Sequence, residues 1–265
     1  METLLQFVLR LAFGLALAMA LTPPSLVTSG FYRVHAYVLL GLQVLAALVA
    51  STLDGYSVAA PITGAVLSYA ASVMWLAEMR RPGIVLLVLV SIASLVGMCW
   101  PLMIAADITT AAEAITATVA EPATAASSVL AWLAPVSGGL VLGTTIAAMF
   151  LGHWYLNSPS MELAPLRRLL KLMTASLLLR LAVSGVGLVL VLGEETAPEN
   201  MFQWLLVLRW FSGILMPLVL TWMTWKTLDI PNTQSATGIL YVAVITTFTG
   251  ELTAQLLSTR LAYPV

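Results

Sequence analysis

Eight long apolar segments constrain this chain more than any other feature of its sequence. Each holds about 20 mainly apolar residues, which is the length that an α-helix needs to cross the hydrocarbon core of a bilayer. The segments fall at 4–22, 31–53, 58–77, 83–106, 129–156, 168–193, 202–226 and 236–258. They lack the apolar–polar alternation of barrel strands, so we predict that all eight spans are helices.

The composition indicates that lipid is the main solvent of the chain. Of its 265 residues, 60% are hydrophobic and 9% are charged, whereas soluble domains carry about 25% charged residues. A soluble fold of this length could not bury so much apolar surface. We therefore predict an all-α integral membrane protein, a bundle of eight transmembrane helices that binds no nucleic acid. The single cysteine excludes a disulfide framework.

One connection, residues 107–128, divides the spans into two groups of four. It is rich in Ala and Thr and carries three acidic residues, so it is too polar to cross a membrane. We predict an external connection there, with helices 1–4 in residues 1–106 and helices 5–8 in residues 129–265. No sequence repeat relates the two groups, so the sequence does not indicate an inverted-repeat transporter.

The basic residues near the span ends fall almost entirely on one side when the loops alternate. Seven lie on that side, against Arg260 alone on the other: Arg33, Arg80, Arg81, Arg167, Arg168, Lys171 and Lys226. Positive charge marks the cytoplasmic side, so both termini are predicted to lie outside, in the periplasm of a bacterium whose inner membrane holds the protein. The outer loops are acidic, which would suit docking of a basic soluble electron carrier such as a cytochrome c.

The only two histidines, His35 and His153, are predicted to lie at similar depth near the cytoplasmic leaflet. Tyr155, Arg33 and Glu78 are expected at the same level. Two neutral imidazoles from different helices can hold one haem iron, so His35 and His153 are candidate ligands of a haem b. The same groups could instead bind and protonate a quinone head group. A third interpretation is that the histidines only anchor the helices at the interface.

Small residues precede His153 along its helix. Gly139, Gly143 and Ala147 recur every four residues, which would let either a flat macrocycle or a neighbouring helix approach closely. Small residues at this spacing are typical of helix packing in membranes. In the seventh span, Pro217 follows Gly213 and predicts a kink.

A second set of charges lies deeper, toward the outer leaflet. Arg10, Arg209 and Glu251 are each six or seven residues inside their spans, a depth of roughly 10 Å at 1.5 Å per residue. Unpaired charges are costly there, so we predict an intramembrane ion pair between Arg209 and Glu251. Arg180, near the middle of its span, also needs a partner, and Glu251 or Gln255 could serve.

The sequence leaves three functions open. The architecture resembles that of membrane anchor subunits of respiratory oxidoreductases, although no motif carries residue roles across. The first hypothesis is therefore a subunit of a respiratory or photosynthetic electron-transfer complex, not catalytic alone, which anchors partner subunits and binds haem b or quinone. The second is a permease for a small solute, such as an anion, at Arg10, Arg180 and Arg209. The third is a structural or assembly subunit without a cofactor.

Overall fold

The computed structural model describes residues 1–115, 125–158, 161–193, 200–230, 232–261 and 263–264, with side chains except at 107–115, 125–128 and 200–202. All regular structure in these ranges is helical. The α-helices are α1 Glu2–Leu21, α2 Ser29–Ala50, α3 Ala59–Leu76, α4 Arg80–Ile115, α5 Ala125–Asn157, α6 Ala164–Leu192, α7 Asn200–Trp210, α8 Met216–Asp229 and α9 Thr233–Ser258. A π-helical turn, Phe211–Leu215, joins α7 to α8.

Eight helical segments of the described chain are long and apolar enough to cross a membrane, which confirms the predicted multi-pass, all-helical architecture. The seventh segment, Gln203–Asp229, combines α7, the π-helical turn and α8. Helices also extend into the predicted external connection, since α4 continues to Ile115 and α5 begins at Ala125. Alanine has the highest helix propensity, which accounts for this extension. Residues 116–124 lie outside the described residues.

Helix α1 lies at the centre of the bundle. It packs against α2, α4, α5 and α9, and most of its side chains are buried. On one side of it, α2 contacts α3 and α3 contacts α4. On the other, α5 contacts α6 and α9, and α8 also packs on both of these helices. The two groups of spans therefore meet chiefly through the contacts of α1.

The crossing of α1 and α5 is so close that only glycine fits on both helices. A Cβ atom on Gly14 would lie 1.8 Å from the carbonyl oxygen of Gly139, and one on Gly143 would lie 1.8 Å from the carbonyl carbon of Gly14. The small-residue stripe before His153 thus packs against α1, as small residues do at membrane helix interfaces. Helix α1 therefore occupies the Gly139–Gly143 part of this stripe.

Basic residues gather at one end of the bundle, which we call the basic end. Arg167, at the start of α6, donates to the carbonyl oxygen of Leu228 at 3.1 Å and lies 3.4 Å from the carboxylate of Asp229. Arg80 and Arg168 both act electrostatically on Tyr32, near the start of α2. The far end of α2 leads to the opposite end of the bundle.

The α1–α5 crossing provides a test of the packing. We expect Gly14→Ala to lower the free energy of unfolding by about 1–3 kcal/mol, because its methyl group must displace the α5 backbone. Thermal unfolding of the purified protein in detergent measures this change. Gly41→Ala is the matched control, since no atom lies within 4 Å of its added methyl group. Equal effects of the two substitutions would contradict the close crossing.

Candidate functional site

Glu251 of α9 lies at the centre of a buried cluster of charges. Its carboxylate accepts two parallel hydrogen bonds from Arg180 of α6, Nε to Oε1 and Nη2 to Oε2, both at 2.9 Å. The Arg180 side chain is 2% exposed and that of Glu251 is fully buried. Bidentate guanidinium–carboxylate pairs are among the strongest side-chain interactions. This pair ties α6 to α9 inside the bundle.

A second guanidinium shares the same carboxylate. Nη2 of Arg209, on α7, lies 3.3 Å from Oε1 of Glu251 and donates to Oγ of Ser184 on α6 at 3.1 Å. The structure thus brings together Arg209 and Glu251, the pair predicted from depth, and adds Arg180 to them. Gln255, the other partner considered for Arg180, is buried one turn further along α9.

A fourth helix, α5, also contacts the cluster. Nη1 of Arg180 donates to the carbonyl oxygen of Ala134 at 3.2 Å and to Oγ of Ser137 at 3.3 Å. The next residue, Gly138, is in contact with the carboxylate, because a Cβ atom there would lie 2.6 Å from Oε2 of Glu251. A glycine at this position is therefore required for α5 to approach the ion pair.

The helix that carries Arg209 changes its geometry directly after that residue. Pro217 has no N–H group for the carbonyl of Gly213, so a regular α-helix cannot continue through this point. The chain instead forms the π-helical turn Phe211–Leu215. Gly213 within that turn packs on Gly250 of α9, where a Cβ atom would lie 2.1 Å from the Gly213 Cα. The turn thus sits beside Glu251, and π-helical turns are frequent at functional sites.

Arg10 of α1 lies in the electrostatic field of this cluster. Arg180 repels its charge and Glu251 attracts it. Among the described side chains, no carboxylate lies within ion-pair distance of Arg10, and its buried Nε atom has no hydrogen-bond partner. The guanidinium of Arg10 is therefore available to a ligand in a way that the guanidinium of Arg180 is not.

Arg10 and Arg180 both line a partly open cavity of about 340 Å³. Ligand pockets in proteins begin near about 300 Å³, so this cavity can hold a small molecule. Its polar lining also includes Gln6, Tyr56 and Ser258. The remaining lining is mostly apolar and consists of Met98, Pro101, Leu102, Ala131, Ala134, Pro135, Ala254, Leu261, Tyr263 and Pro264.

Tyr56 lies outside the spans, in the turn between α2 and α3. Burial raises the pKa of its phenol above the ordinary value, and the nearby carboxylate of Glu2 raises it further. The hydroxyl group therefore stays protonated at neutral pH, where it can donate a hydrogen bond. It adds a neutral donor to the cavity wall and no negative charge.

The charges of the described side chains are not balanced in this region. Arg180 and Arg209 share the carboxylate of Glu251, and Arg10 lies in the same electrostatic field without a carboxylate at ion-pair distance among these side chains. The positive charge of Arg10 therefore has no counter-ion among the described residues of this apolar bundle. Charge that is removed from water without a partner is strongly unfavourable. The arrangement is chemically suited to binding an anion in the cavity.

The two histidines lie in different surroundings. His35, on α2, is buried, and its Nδ1 lies 2.7 Å from the carbonyl oxygen of Phe31. The rings of Phe31 and Phe150 pack against its imidazole, each with a centroid distance of 4.4 Å. His153, on α5, is exposed on the outer surface of the bundle. Its Nδ1 lies 3.3 Å from the hydroxyl oxygen of Tyr241 on α9.

The other residues predicted near the histidines do not join one site. The hydroxyl of Tyr155 donates to the carbonyl oxygen of Glu162. Glu78 is exposed in the turn between α3 and α4, with a φ of 56°, and Arg33 is partly exposed. In the described part of the chain, no hydrogen bond or ion pair joins these residues to a histidine, and no group of three or more His, Cys, Asp or Glu is arranged to hold a metal ion.

Sequence reasoning missed the residues that complete the charged cluster. Ser184, Ser137 and Gly138 carry no distinctive motif, and their role depends on which helix faces which. Gln6 gave a usable signal, because it lies four residues before Arg10 and therefore on the same face of α1. Tyr241 gave none, since nothing in the sequence indicates that α9 lies beside α5.

No protein-family model matches this chain, and neither the curated proteins nor the solved structures contain a significant match to it.

Proposed function

We propose that this chain is a membrane permease that binds a small anionic solute in the cavity lined by Arg10 and Arg180, beside Arg209. The observation that carries the proposal is the guanidinium of Arg10, which lines a cavity beside the Arg180–Glu251 pair and has no carboxylate at ion-pair distance among the described side chains. An anion in that cavity would neutralise the charge of Arg10. Because the surroundings are apolar, the attraction would be much stronger than at a water-exposed surface.

The shape of the seventh span supports movement of the solute as well as binding. The π-helical turn and Pro217 interrupt the helix directly after Arg209. Interrupted helices beside a binding site in the middle of the membrane are typical of secondary transporters. A change of angle between α7 and α8 would move Arg209 relative to Glu251, and so change the field in the cavity.

The orientation of the protein in the membrane and its location in a bacterial inner membrane are part of the same proposal. The basic end would face the cytoplasm of a bacterial cell, in agreement with the positive-inside rule. Both termini, the α2–α3 turn and the cavity would then lie toward the periplasm. The solute would be taken from the periplasmic side of the inner membrane.

A second candidate function is supported by the surface near His153. His153 and Tyr241 form a polar pair on an outer face that would contact lipid. A quinone reaches such a face directly from the bilayer, and histidine exchanges protons near neutral pH. This pair supports a quinone-binding subunit of an electron-transfer complex, with partner membrane subunits covering the exposed apolar helices. Haem ligation by His35 and His153 remains a prediction of the same hypothesis.

The proposed orientation can be tested with single cysteines. We expect a membrane-impermeant maleimide to label Asp54→Cys in intact cells and to label Arg81→Cys only after the membrane is opened. Asp54 is exposed in the turn between α2 and α3, and Arg81 is exposed at the start of α4, at the opposite end of the bundle. The native Cys99 is buried, so the unmodified protein supplies the background. The reverse labelling pattern would overturn the orientation.

Anion binding can be tested through the net charge of the cluster. Nitrate, phosphate, acetate and hexanoate are compared with a bulky sulfonate at equal ionic strength, and we expect at least one to raise the melting temperature of the wild-type protein. Arg180→Gln removes one positive charge and should weaken that binding about 30-fold, for charges about 8 Å apart in an effective dielectric constant of about 20.

The double variant Arg180→Gln with Glu251→Gln is the matched control for charge. It removes one charge of each sign, so it leaves the net charge of the cluster unchanged and should bind the anion nearly as tightly as the wild-type protein. Glu251→Gln also removes the carboxylate partner of Arg209, so each variant is compared by the shift in melting temperature that the anion produces and not by its melting temperature alone. If no anion stabilises the wild-type protein more than the sulfonate does, the permease proposal is wrong.

The quinone alternative predicts a different result. A short-chain quinone should stabilise the wild-type protein. His153→Ala should lower the affinity for the quinone at least tenfold, because the quinone head group loses its hydrogen-bond partner. Leu156→Ala is the control, since Leu156 is exposed on the same helix. A reduced-minus-oxidised spectrum checks the haem branch. Equal stabilisation of wild-type and His153→Ala proteins, together with a flat spectrum, would remove this alternative.

A further inference from the structure

The arginines of the charged cluster differ in how many of their N–H groups already have hydrogen-bond partners. Nε and Nη2 of Arg180 bind Glu251, and its Nη1 binds main-chain and hydroxyl oxygens of α5. Arg209 is held by Glu251 and by Ser184. The guanidinium of Arg10 lines the cavity, and its Nε atom is buried with no hydrogen-bond partner among the described residues. A ligand would therefore find its main charged donor at Arg10.

Few polar groups line the cavity besides the two arginines. Gln6 is one turn from Arg10 on α1, and its amide nitrogen already donates to the carbonyl oxygen of Met98 at 3.1 Å. Tyr56 and Tyr263 add phenol hydroxyl groups, whereas the hydroxyl of Ser258 already donates to the carbonyl oxygen of Gln255 at 2.8 Å. One guanidinium and two hydroxyl groups can satisfy a carboxylate, which has two oxygens. They cannot surround phosphate or sulfate, whose oxygens are more numerous.

Most of the cavity wall is apolar. Met98, Pro101 and Leu102 come from α4, and Ala131 and Pro135 come from α5. An inorganic anion would leave this wall in contact with water or with nothing. An alkyl or aromatic body would cover it, and each buried CH₂ group would add to the binding free energy.

From these contacts we infer that the ligand is an amphipathic monocarboxylate, with its carboxylate on Arg10 and its apolar body along the α4–α5 wall. This inference rests on the proposed anion site and names its substrate class. In it, Arg10 is the binding residue, whereas Arg180, Glu251 and Arg209 position the surrounding helices and supply the positive field. A soluble organic acid and a free fatty acid from the bilayer share this chemistry.

A chain-length series tests the inference on the full-length protein in lipid nanodiscs. Radiolabelled hexanoate is bound, and acetate, butyrate, octanoate and phosphate compete with it. Palmitate is supplied as a fraction of the nanodisc lipid. We expect the affinity to rise about four-fold per added methylene group up to the size of the cavity, which corresponds to about 0.8 kcal/mol each. Hexanamide, which is uncharged, should compete at least 100-fold more weakly than hexanoate.

The two sources of the carboxylate give different curves. A plateau near six to eight carbons identifies a soluble acid, because a longer body no longer fits a cavity of about 340 Å³. An affinity that continues to rise to palmitate identifies a fatty acid whose tail leaves the cavity into lipid. Either curve supports the amphipathic class, and affinities independent of chain length overturn it.

Variants distinguish the contribution of Arg10 to binding from that of the cavity wall. Arg10→Gln should reduce the hexanoate affinity at least 30-fold and remove the preference over hexanamide, whereas Arg81→Gln, at an exposed position of the basic end, should change neither. Leu102→Ala should move the optimum to a longer chain and Ala131→Leu to a shorter one. Should Arg10→Gln fail to fold, these two wall variants decide the question, since an unchanged optimum in both overturns the inference.

Binding of phosphate or nitrate without binding of any carboxylate would refute the inference and leave the proposed anion permease intact. Absence of binding by every anion in the series would refute both. Tight binding of carboxylates that survives Arg10→Gln would keep the permease but overturn the role of Arg10.

Discussion

The carboxylate of Glu251 holds two guanidinium groups from two different helices, and the interior of the bundle is arranged around it. Arg180 supplies a bidentate contact and Arg209 a single one. Removing either side of such a pair leaves a charge without its partner in an apolar medium. The serines of α5 and α6 then follow as requirements, because they accept hydrogen bonds from the two arginines. The glycines of α5 and α9 are required because they make room for the carboxylate and for the π-helical turn beside it.

Span number and helix class could be predicted because they depend on apolar length alone. The pairing of Arg209 with Glu251 followed from depth, since two opposite charges at the same level of adjacent helices each need a partner in lipid. The bidentate role of Arg180 could not be predicted in the same way. Its position near the middle of α6 indicated that Arg180 needs a partner. Which partner it finds depends on how each helix is rotated about its axis. An apolar sequence in lipid does not reveal that rotation, because every face of the helix is apolar.

Depth in the membrane was also insufficient to predict the surroundings of the two histidines. The charge pattern placed both histidines near one leaflet. They differ in whether they lie on a buried or an exposed face of their helices. His35 points into a set of aromatic rings, whereas His153 lies on the outer surface beside Tyr241. On a helix that is apolar all round, a single polar residue does not reveal which face is buried. The contrast between the two sites required the packing of α2, α5 and α9.

The π-helical turn has a consequence for register. A π-helical turn accommodates an extra residue in an otherwise α-helical segment, and one residue corresponds to a rotation of about 100° around the helix axis. The angular position of Arg209 relative to α8 is therefore set by the residue count between them. α8 is fixed at the basic end by the contact of Asp229 with Arg167. A one-residue deletion within 211–215 would turn the guanidinium of Arg209 away from Glu251 without altering any charged side chain.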